Sequence, residues 1–352
     1  MEQIQKDSKK FKEKLLLELL FYDYSIEDFS ENEATRNRIV TIKNVRFSGL
    51  NFLLKQPIKF DRERVTSIRK EALFYDNAPP VLNAYLPKCF GLDPTNLVLT
   101  RQWLNNVEPL SVLFSGIDNK SSIPLLLLQK LGAGLGMFHV ELSNSTIFID
   151  EYKPLFHTHL PSILLQYDTK YESYYDWSKS IIARKCITYF KEKKEIAEVL
   201  NSVSKHWDKR VVTIIHGDIK PTNILVSSNE PYNSIFFIDW ESAMLGDPAW
   251  DVAAMLFDLF IKFYIHYQEN SSFYTIFNYF NLFFSSYKEV NVLSKSDDFG
   301  TYVILYTGVK LIEHYLKNLF NSQTIYAECI LSWGEVFVKD SETCNKMFIH
   351  GN

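Results

Sequence analysis

An α+β fold in two lobes, a small strand-rich one followed by a larger, mainly helical one, is what three features of the sequence predict. The chain has 352 residues, more than one ordinary core holds and enough for two lobes. Short β-branched or aromatic runs bounded by turn residues fill much of its first third. Beyond them, apolar residues mostly recur at helical spacing.

Taken in order, residues 8–20 place Phe11, Leu15, Leu16, Leu19 and Leu20 on one helical stripe with Ser8 as a cap. Ser25 to Glu33 reads as an acidic connector. Arg38–Val45 and Asn51–Lys55 read as strands around a turn at Ser48-Gly49, and RKEALFY, which contains Glu71, reads as helix. Pro87–Leu92 and Leu97–Arg101, joined by Asp93-Pro94-Thr95-Asn96, form a second hairpin. The glycines of LGAGLGMFH invite comparison with a phosphate loop. Gly132, Gly134 and Gly136 miss the GxGxxG spacing, with Met137 where the last glycine should stand, and Leu128, Leu131, Leu135 and Phe138 keep a helical stripe. A tightly packed helix is expected, with His139 structural. Phe148 to His206 is less patterned, with a tyrosine cluster (Tyr167, Tyr171, Tyr174, Tyr175) and an amphipathic helix beyond Tyr189. Past residue 253, helices rich in Phe and Tyr are broken by a polar turn near Ser294–Ser296.

The chemistry is concentrated in residues 211–253. Val211–Ile215 is a β-branched run closed by His216-Gly217-Asp218, so Asp218 falls just past a buried strand. Ile224–Val226 and Ile235–Ile238, separated by a polar loop, make an antiparallel hairpin. With Val226 opposite Phe236, strict counting sets Asn223 against Asp239, an amide oxygen beside a carboxylate at the hairpin's open end. Magnesium favours oxygen donors and takes few protein ligands, so this pair suits it. Asp218, in the preceding loop, is free to accept a proton from a hydroxyl. Asp247-Pro248 fits a helix start, aspartate as N-cap and proline at the first helical position.

HGDIKPTN, then IDWE, then GDPAWDVA resemble the aminoglycoside phosphotransferase and choline kinase family, distant relatives of the protein kinases. The resemblance implies a protein-kinase-like fold and an ATP-dependent phosphotransferase that moves the γ-phosphate of Mg-ATP to a hydroxyl acceptor. It assigns Asp218 as catalytic base, Asn223 and Asp239 to magnesium, and Asp251 as a brace for the catalytic loop, while Trp240 and Glu241 pack and brace. Lys220 stands where related kinases carry a phosphate-contacting lysine. Lys55 becomes the lysine on the α and β phosphates and Glu71 its partner, while Gln102, Trp103 and Leu104 take the place of the adenine-binding linker. That linker sets lobes of 1–104 and 105–352. Only Gly49 serves the nucleotide roof, a departure from the protein kinases.

Composition narrows the partners. With 46% hydrophobic and 23% charged residues the chain is globular, and a net charge of −4 without a long basic run excludes the phosphate affinity of nucleic-acid binders. Cys89, Cys186, Cys329 and Cys344 are too widely spaced for a zinc site, and a cytoplasmic location without a membrane span is expected. The acceptor is expected to be a small molecule, although the acidic residues beyond 255 (Asp258, Glu269, Glu289, Asp297, Asp298, Glu313, Glu328, Glu335, Asp340, Glu342) are too scattered for a polycation. Two competing readings are a serine/threonine peptide kinase in ribosomal-peptide modification and a catalytically silent nucleotide-binding partner protein.

Overall fold

The computed structural model describes residues 28–33, 37–43, 51–116, 124–148, 152–165, 181–227, 234–266, 273–296 and 298–349. The N-terminal helix expected over 8–20, the Ser48-Gly49 turn and the tyrosine cluster lie outside them. The chain divides into one unit of Met1–Ala72 with Pro87–Asn105 and another of Leu73–Leu86 with Asn106–Asn352.

The first unit is an antiparallel sheet of five strands in the order β1-β2-β3-β5-β4, where β1 is Asp28–Glu33, β2 Asn37–Lys43, β3 Phe52–Pro57, β4 Cys89–Asp93 and β5 Val98–Gln102. The acidic connector expected before Glu33 is in fact the edge strand β1, paired with β2 from Asp28↔Lys43 to Glu33↔Arg38. A polar edge strand makes its ladder bonds without an apolar alternation to announce it. Helix α1, Arg62–Asn77, follows β3. Ile68 and Ala72 of its buried face pack with Leu97 and Leu99. Glu71 shares that face at helical spacing.

In the second unit, β6 (Val107–Pro109), β8 (Ile224–Ser227) and β9 (Ile235–Phe237) form one small sheet, and β7 (Thr213–Ile215) pairs with β10 (Met244–Gly246) in another. The helices around them are α2 (Leu110–Gly116), α3 (Leu125–Ser143), α4 (Ser162–Leu165), α5 (Ile181–Glu192), α6 (Lys194–His206), α7 (Pro248–His266), α8 (Phe273–Val290), α9 (Phe299–His314), α10 (Ile325–Lys339) and α11 (Ser341–Ile349). The expected polar break near Ser294–Ser296 is a 3₁₀ turn over Val292–Lys295. LGAGLGMFH is helix, as its stripe predicts. Its glycines let α3 press against α8, since a Cβ at Gly132 would collide with the Phe283 carbonyl. Among the described residues α3 is also the one helix long and apolar enough to cross a membrane, but more than half of it is buried within the fold.

An aromatic core backs the hairpin. Trp240 stacks on Phe74 at 3.8 Å between ring centres, and Phe138 contacts both Trp240 (4.9 Å) and Phe237 (5.1 Å). Such rings exclude water and stiffen what lies above them.

Candidate active site

β7 delivers the chain into the loop His216-Gly217-Asp218, and the backbone of that loop is fixed from beneath. Gly217 has φ +78°, and a Cβ there would stand 2.6 Å from the Ser242 carbonyl oxygen, so only glycine fits. Asp251, fully buried in the first turn of α7, accepts the amide N–H of His216 at 2.6 Å and of Gly217 at 3.0 Å. Its role as brace, implied by the motif alone, is what the geometry displays. Burial raises the Asp251 carboxyl, but the His139 hydrogen bond, the electrostatic influence of the two imidazole rings and the His216 amide outweigh it, and the net shift is downward.

The brace is itself held. His139 Nε2 lies 3.3 Å from Asp251 Oδ2, and its Nδ1 lies 2.7 Å from the Tyr287 hydroxyl. Asn291 Nδ2 donates to that hydroxyl at 2.5 Å, and the Thr213 hydroxyl donates to the His139 carbonyl at 2.8 Å. His139 is structural, as expected. His216 sits in a second chain of bonds. Its Nε2 is 2.9 Å from the Ile238 carbonyl, which can only accept, so Nε2 carries the proton and Nδ1 accepts the Asp218 amide at 3.3 Å. Strand β7 is thereby tied to the end of β9.

Above this framework Asp218 is half-exposed. Lys220 Nζ donates to its Oδ2 at 2.6 Å, and Asn223 Nδ2 donates to its carbonyl at 3.0 Å and to Oδ2 at 3.3 Å. Asp218, Lys220 and Asn223 therefore converge as the sequence predicts. With Nδ2 committed, Asn223 keeps its Oδ1 for another partner.

The expected hairpin register is wrong by one residue. Ile224 pairs with Phe237 and Val226 with Ile235, and the Ile238 amide donates to the Asn223 carbonyl at 3.0 Å, so Asn223 faces Ile238 rather than Asp239. Asp239 leaves the ladder in a left-handed conformation (φ 68°, ψ 55°), a region that aspartate tolerates better than most residues. Its carboxylate comes within 4.8 Å of that of Glu241. The sequence assigns Glu241 to packing and bracing, and the structure sets its carboxylate near that of Asp239. The IDWE spacing, with two carboxylates flanking a core tryptophan, was the available signal.

Immediately before α7 the predicted cap is present, with Asp247 accepting the Ala249 amide at 3.0 Å. Asp247 also receives Arg210 Nε at 2.6 Å and the Tyr306 hydroxyl at 3.1 Å. Burial raises its carboxyl and outweighs the Arg210 charge.

In the first unit Lys55 and Glu71 meet as the sequence expects, Nζ to Oε2 at 2.7 Å, and both are buried. Sequence reasoning missed a third member, Arg101, whose Nη1 lies 3.1 Å from Glu71 Oε1. Lys55 stands opposite Leu99 in the β3–β5 register and Arg101 is two residues farther on, hence on the same face. In the expected adenine linker, Gln102 and Trp103 already spend their amide protons, on the Lys88 carbonyl and the Asn51 carbonyl, both at 2.8 Å.

A family model described as a phosphotransferase enzyme family matches residues 168–273, the stretch that holds the loop, the hairpin and α7. The chain carries a phosphotransferase family's signature on a kinase-like fold. Comparison with curated proteins gives no match. Among solved structures, aminoglycoside 2'-phosphotransferase-IIIa in complex with GDP is similar at 16% identity, with TM-score 0.54 over 96% of this chain and 99% of that one. An ethanolamine kinase of Plasmodium vivax aligns at 13% identity and TM-score 0.59, over 96% of this chain and 89% of that one. Amicoumacin kinase in complex with AMP-PNP and Ca²⁺ aligns at 11% identity and TM-score 0.55, over 95% and 94%. The phosphotransferase likeness read from HGDIKPTN, IDWE and GDPAWDVA thus stands, and the fold is that of these kinases.

Proposed function

We propose that this phosphotransferase moves the γ-phosphate of ATP to the hydroxyl of a small acceptor, with Asp218 as general base. The observation that carries the reading is the pairing of a half-exposed Asp218 carboxylate with a backbone locked by Asp251, a base free to meet substrate on a loop that cannot drift. The acceptor oxygen attacks phosphorus, the bond to the β,γ-bridging oxygen breaks, and the hydroxyl proton passes to Asp218. Such a reaction needs positioning and charge neutralisation more than covalent chemistry. Lys220, which contacts Asp218 Oδ2 at 2.6 Å, is the residue we assign to the transferred phosphoryl group.

Asn223 and Asp239 are the residues we assign to magnesium. Their donors fit a hard cation: the Asn223 amide has its nitrogen turned to Asp218 and its oxygen uncommitted, and Asp239 has a second carboxylate, Glu241, within 4.8 Å. Bound there, the ion would neutralise phosphate charge. GDP in one solved kinase of this fold and AMP-PNP with Ca²⁺ in another support nucleotide and divalent-cation use. Lys55, steadied by Glu71, is the cation we assign to the α and β phosphates, and a linker donor to adenine falls to Leu104 because the Gln102 and Trp103 amides are spent.

The test is phosphate transfer from ATP and magnesium to a panel of hydroxylated small molecules. Transfer by the wild type and none by Asp218→Asn, with unchanged circular dichroism, is expected. Wild-type turnover by Asp218→Asn would remove the assignment.

A further inference from the structure

Behind Asp251 the hydrogen bonds have a direction as well as a geometry. Asn291 follows the last residue of α8 and caps the 3₁₀ turn over Val292–Lys295, its Oδ1 accepting the Leu293 amide N–H at 2.8 Å. A backbone amide can only donate, so this bond fixes which way the Asn291 side-chain amide faces. Its Nδ2, which also can only donate, is thereby turned to the Tyr287 hydroxyl at 2.5 Å. Tyr287 stands one turn earlier on α8, and Tyr287, Asn291, His139 and Asp251 are all buried.

Having accepted from Asn291, the Tyr287 hydroxyl donates its own hydrogen to His139 Nδ1 at 2.7 Å. Nδ1 is then the bare nitrogen, and Nε2 carries the ring proton toward Asp251 Oδ2 at 3.3 Å. The opposite tautomer would set an Nε2 lone pair against a carboxylate, and a doubly protonated ring would strand the buried Tyr287 hydrogen without an acceptor. Donation therefore runs one way, from the Leu293 amide through Asn291, Tyr287 and His139 to Asp251, which at the far end accepts the His216 and Gly217 amides of the catalytic loop. Burial, with the nearby charges of Asp251 and Asp247, holds the Tyr287 hydroxyl well above its ordinary range, so it stays a donor. The other titratable groups acting on Asp251 are His216 and, from α9, Lys310.

We propose that Asn291 and Tyr287 are positioning residues for phosphate transfer, a one-way hydrogen-bond relay that sets the tautomer of His139 and so keeps a donor on Asp251 opposite the two loop amides. Its effect on rate rests on the phosphotransferase reading, whereas the relay itself rests on the hydrogen bonds. Asn291→Asp and Asn291→Ala separate polarity from packing. Once ionised, the carboxylate of Asn291→Asp accepts from Leu293 and from Tyr287, which takes the Tyr287 hydrogen away from His139 and makes Nδ1 the donor. Asn291→Ala leaves a cavity but lets Tyr287 go on donating to Nδ1.

The closer mimic in shape should thus be the worse enzyme. With the best acceptor of the small-molecule panel at about pH 8, kcat should fall about tenfold or more in Asn291→Asp and less in Asn291→Ala, with the KM for ATP unchanged in both. Lowering the pH should restore part of the Asn291→Asp loss, because a protonated carboxyl donates again. Adding Tyr287→Phe should abolish the difference between the two substitutions, since nothing then carries the polarity to His139. A packing role predicts the reverse order. Nitrogen-15 spectra of histidine-labelled protein and hydrogen exchange at His216 and Gly217 read the relay without an acceptor: wild type should carry the His139 proton on Nε2 alone, and Asn291→Asp should place one on Nδ1 and speed exchange of both amides. Should the introduced carboxyl prevent folding, Tyr287→Phe carries the test, with exchange of the two amides about fivefold faster and that of the β1–β5 sheet unchanged. A wild-type His139 protonated at Nδ1, turnover by Asn291→Ala equal to or below that of Asn291→Asp, or loop amides indifferent to Tyr287→Phe would each overturn the relay. Failure of the phosphotransferase reading would look different: the expected tautomer and loop protection in a wild type that transfers phosphate to no acceptor.

Discussion

The two units hold their key charges in opposite ways. In the first, Lys55, Glu71 and Arg101 are buried to 6% exposure or less and are held side chain to side chain as ion pairs at 2.7 and 3.1 Å. In the second, Asp218 and Lys220 are more than 40% exposed, and position comes from backbone: Asp251 grips two amides, Asn223 grips a carbonyl, and Gly217 removes the side chain that would prevent the turn. A buried cluster is rigid because breaking it is costly, whereas an exposed base must be held by groups that are not themselves consumed in the chemistry. Substitution of Glu71 should therefore register first as stability, and substitutions around Asp218 chiefly as rate.

The sharpest break between the two is Asp218→Asn, which should lower turnover by about 10²–10⁴-fold, the range for removal of a general base, with little change in melting temperature. Steady-state kinetics beside calorimetry would check it. Glu71→Ala should register first as stability, removing the carboxylate shared by the buried cations Lys55 and Arg101 and costing about 3–5 kcal/mol in urea unfolding. If Glu71→Ala were as stable as wild type, Glu71 would not be the counter-charge that Lys55 and Arg101 share.

Asp251→Asn sits between the cases. It keeps one acceptor oxygen for two amides, so a loss of about 1–3 kcal/mol should accompany a fall in turnover. Because the Asp251 carboxyl is held below its ordinary 3.8, its stabilisation is present above that value and lost as the pH falls through the lowered one, and the variant should show less destabilisation by acid.

The smallest effect concerns Asp258, whose carboxyl is raised to about 7. A raised carboxyl binds its proton more tightly in the folded state, so stability falls between about 4 and 7 and the full penalty is present above 7, tempered by Lys310 and Lys220 and deepened by Asp218. Asp258→Asn should melt a few degrees higher than wild type at pH 8, and the gain should vanish near pH 4. A variant less stable than wild type at pH 8 would contradict this.

How much of this was legible in the chain depends on distance and pattern. The order of strand, loop, hairpin and helix over 211–253 was readable because each piece is short and punctuated. The hairpin register was not: Ile224, Leu225 and Val226 are all apolar, and so are Ile235, Phe236 and Phe237, so neither strand has the alternation that fixes a face. The packed helix around Gly132 was readable from its leucine stripe. His139 and Tyr287 behind Asp251 lie 112 and 36 residues from it in sequence, and no local pattern joins them. Arg101 was hidden for a similar reason, since its partner Glu71 is on a helix preceding the strand by a whole hairpin.

The central claim divides labour between a base and a metal-holding pair, and manganese electron paramagnetic resonance in the presence of AMP-PNP tests it without knowledge of the acceptor. Wild type and Asp218→Asn should both show a nucleotide-dependent manganese site, while Asn223→Ala and Asp239→Ala should lose it. A site lost in Asp218→Asn, or kept in Asp239→Ala, would contradict the account.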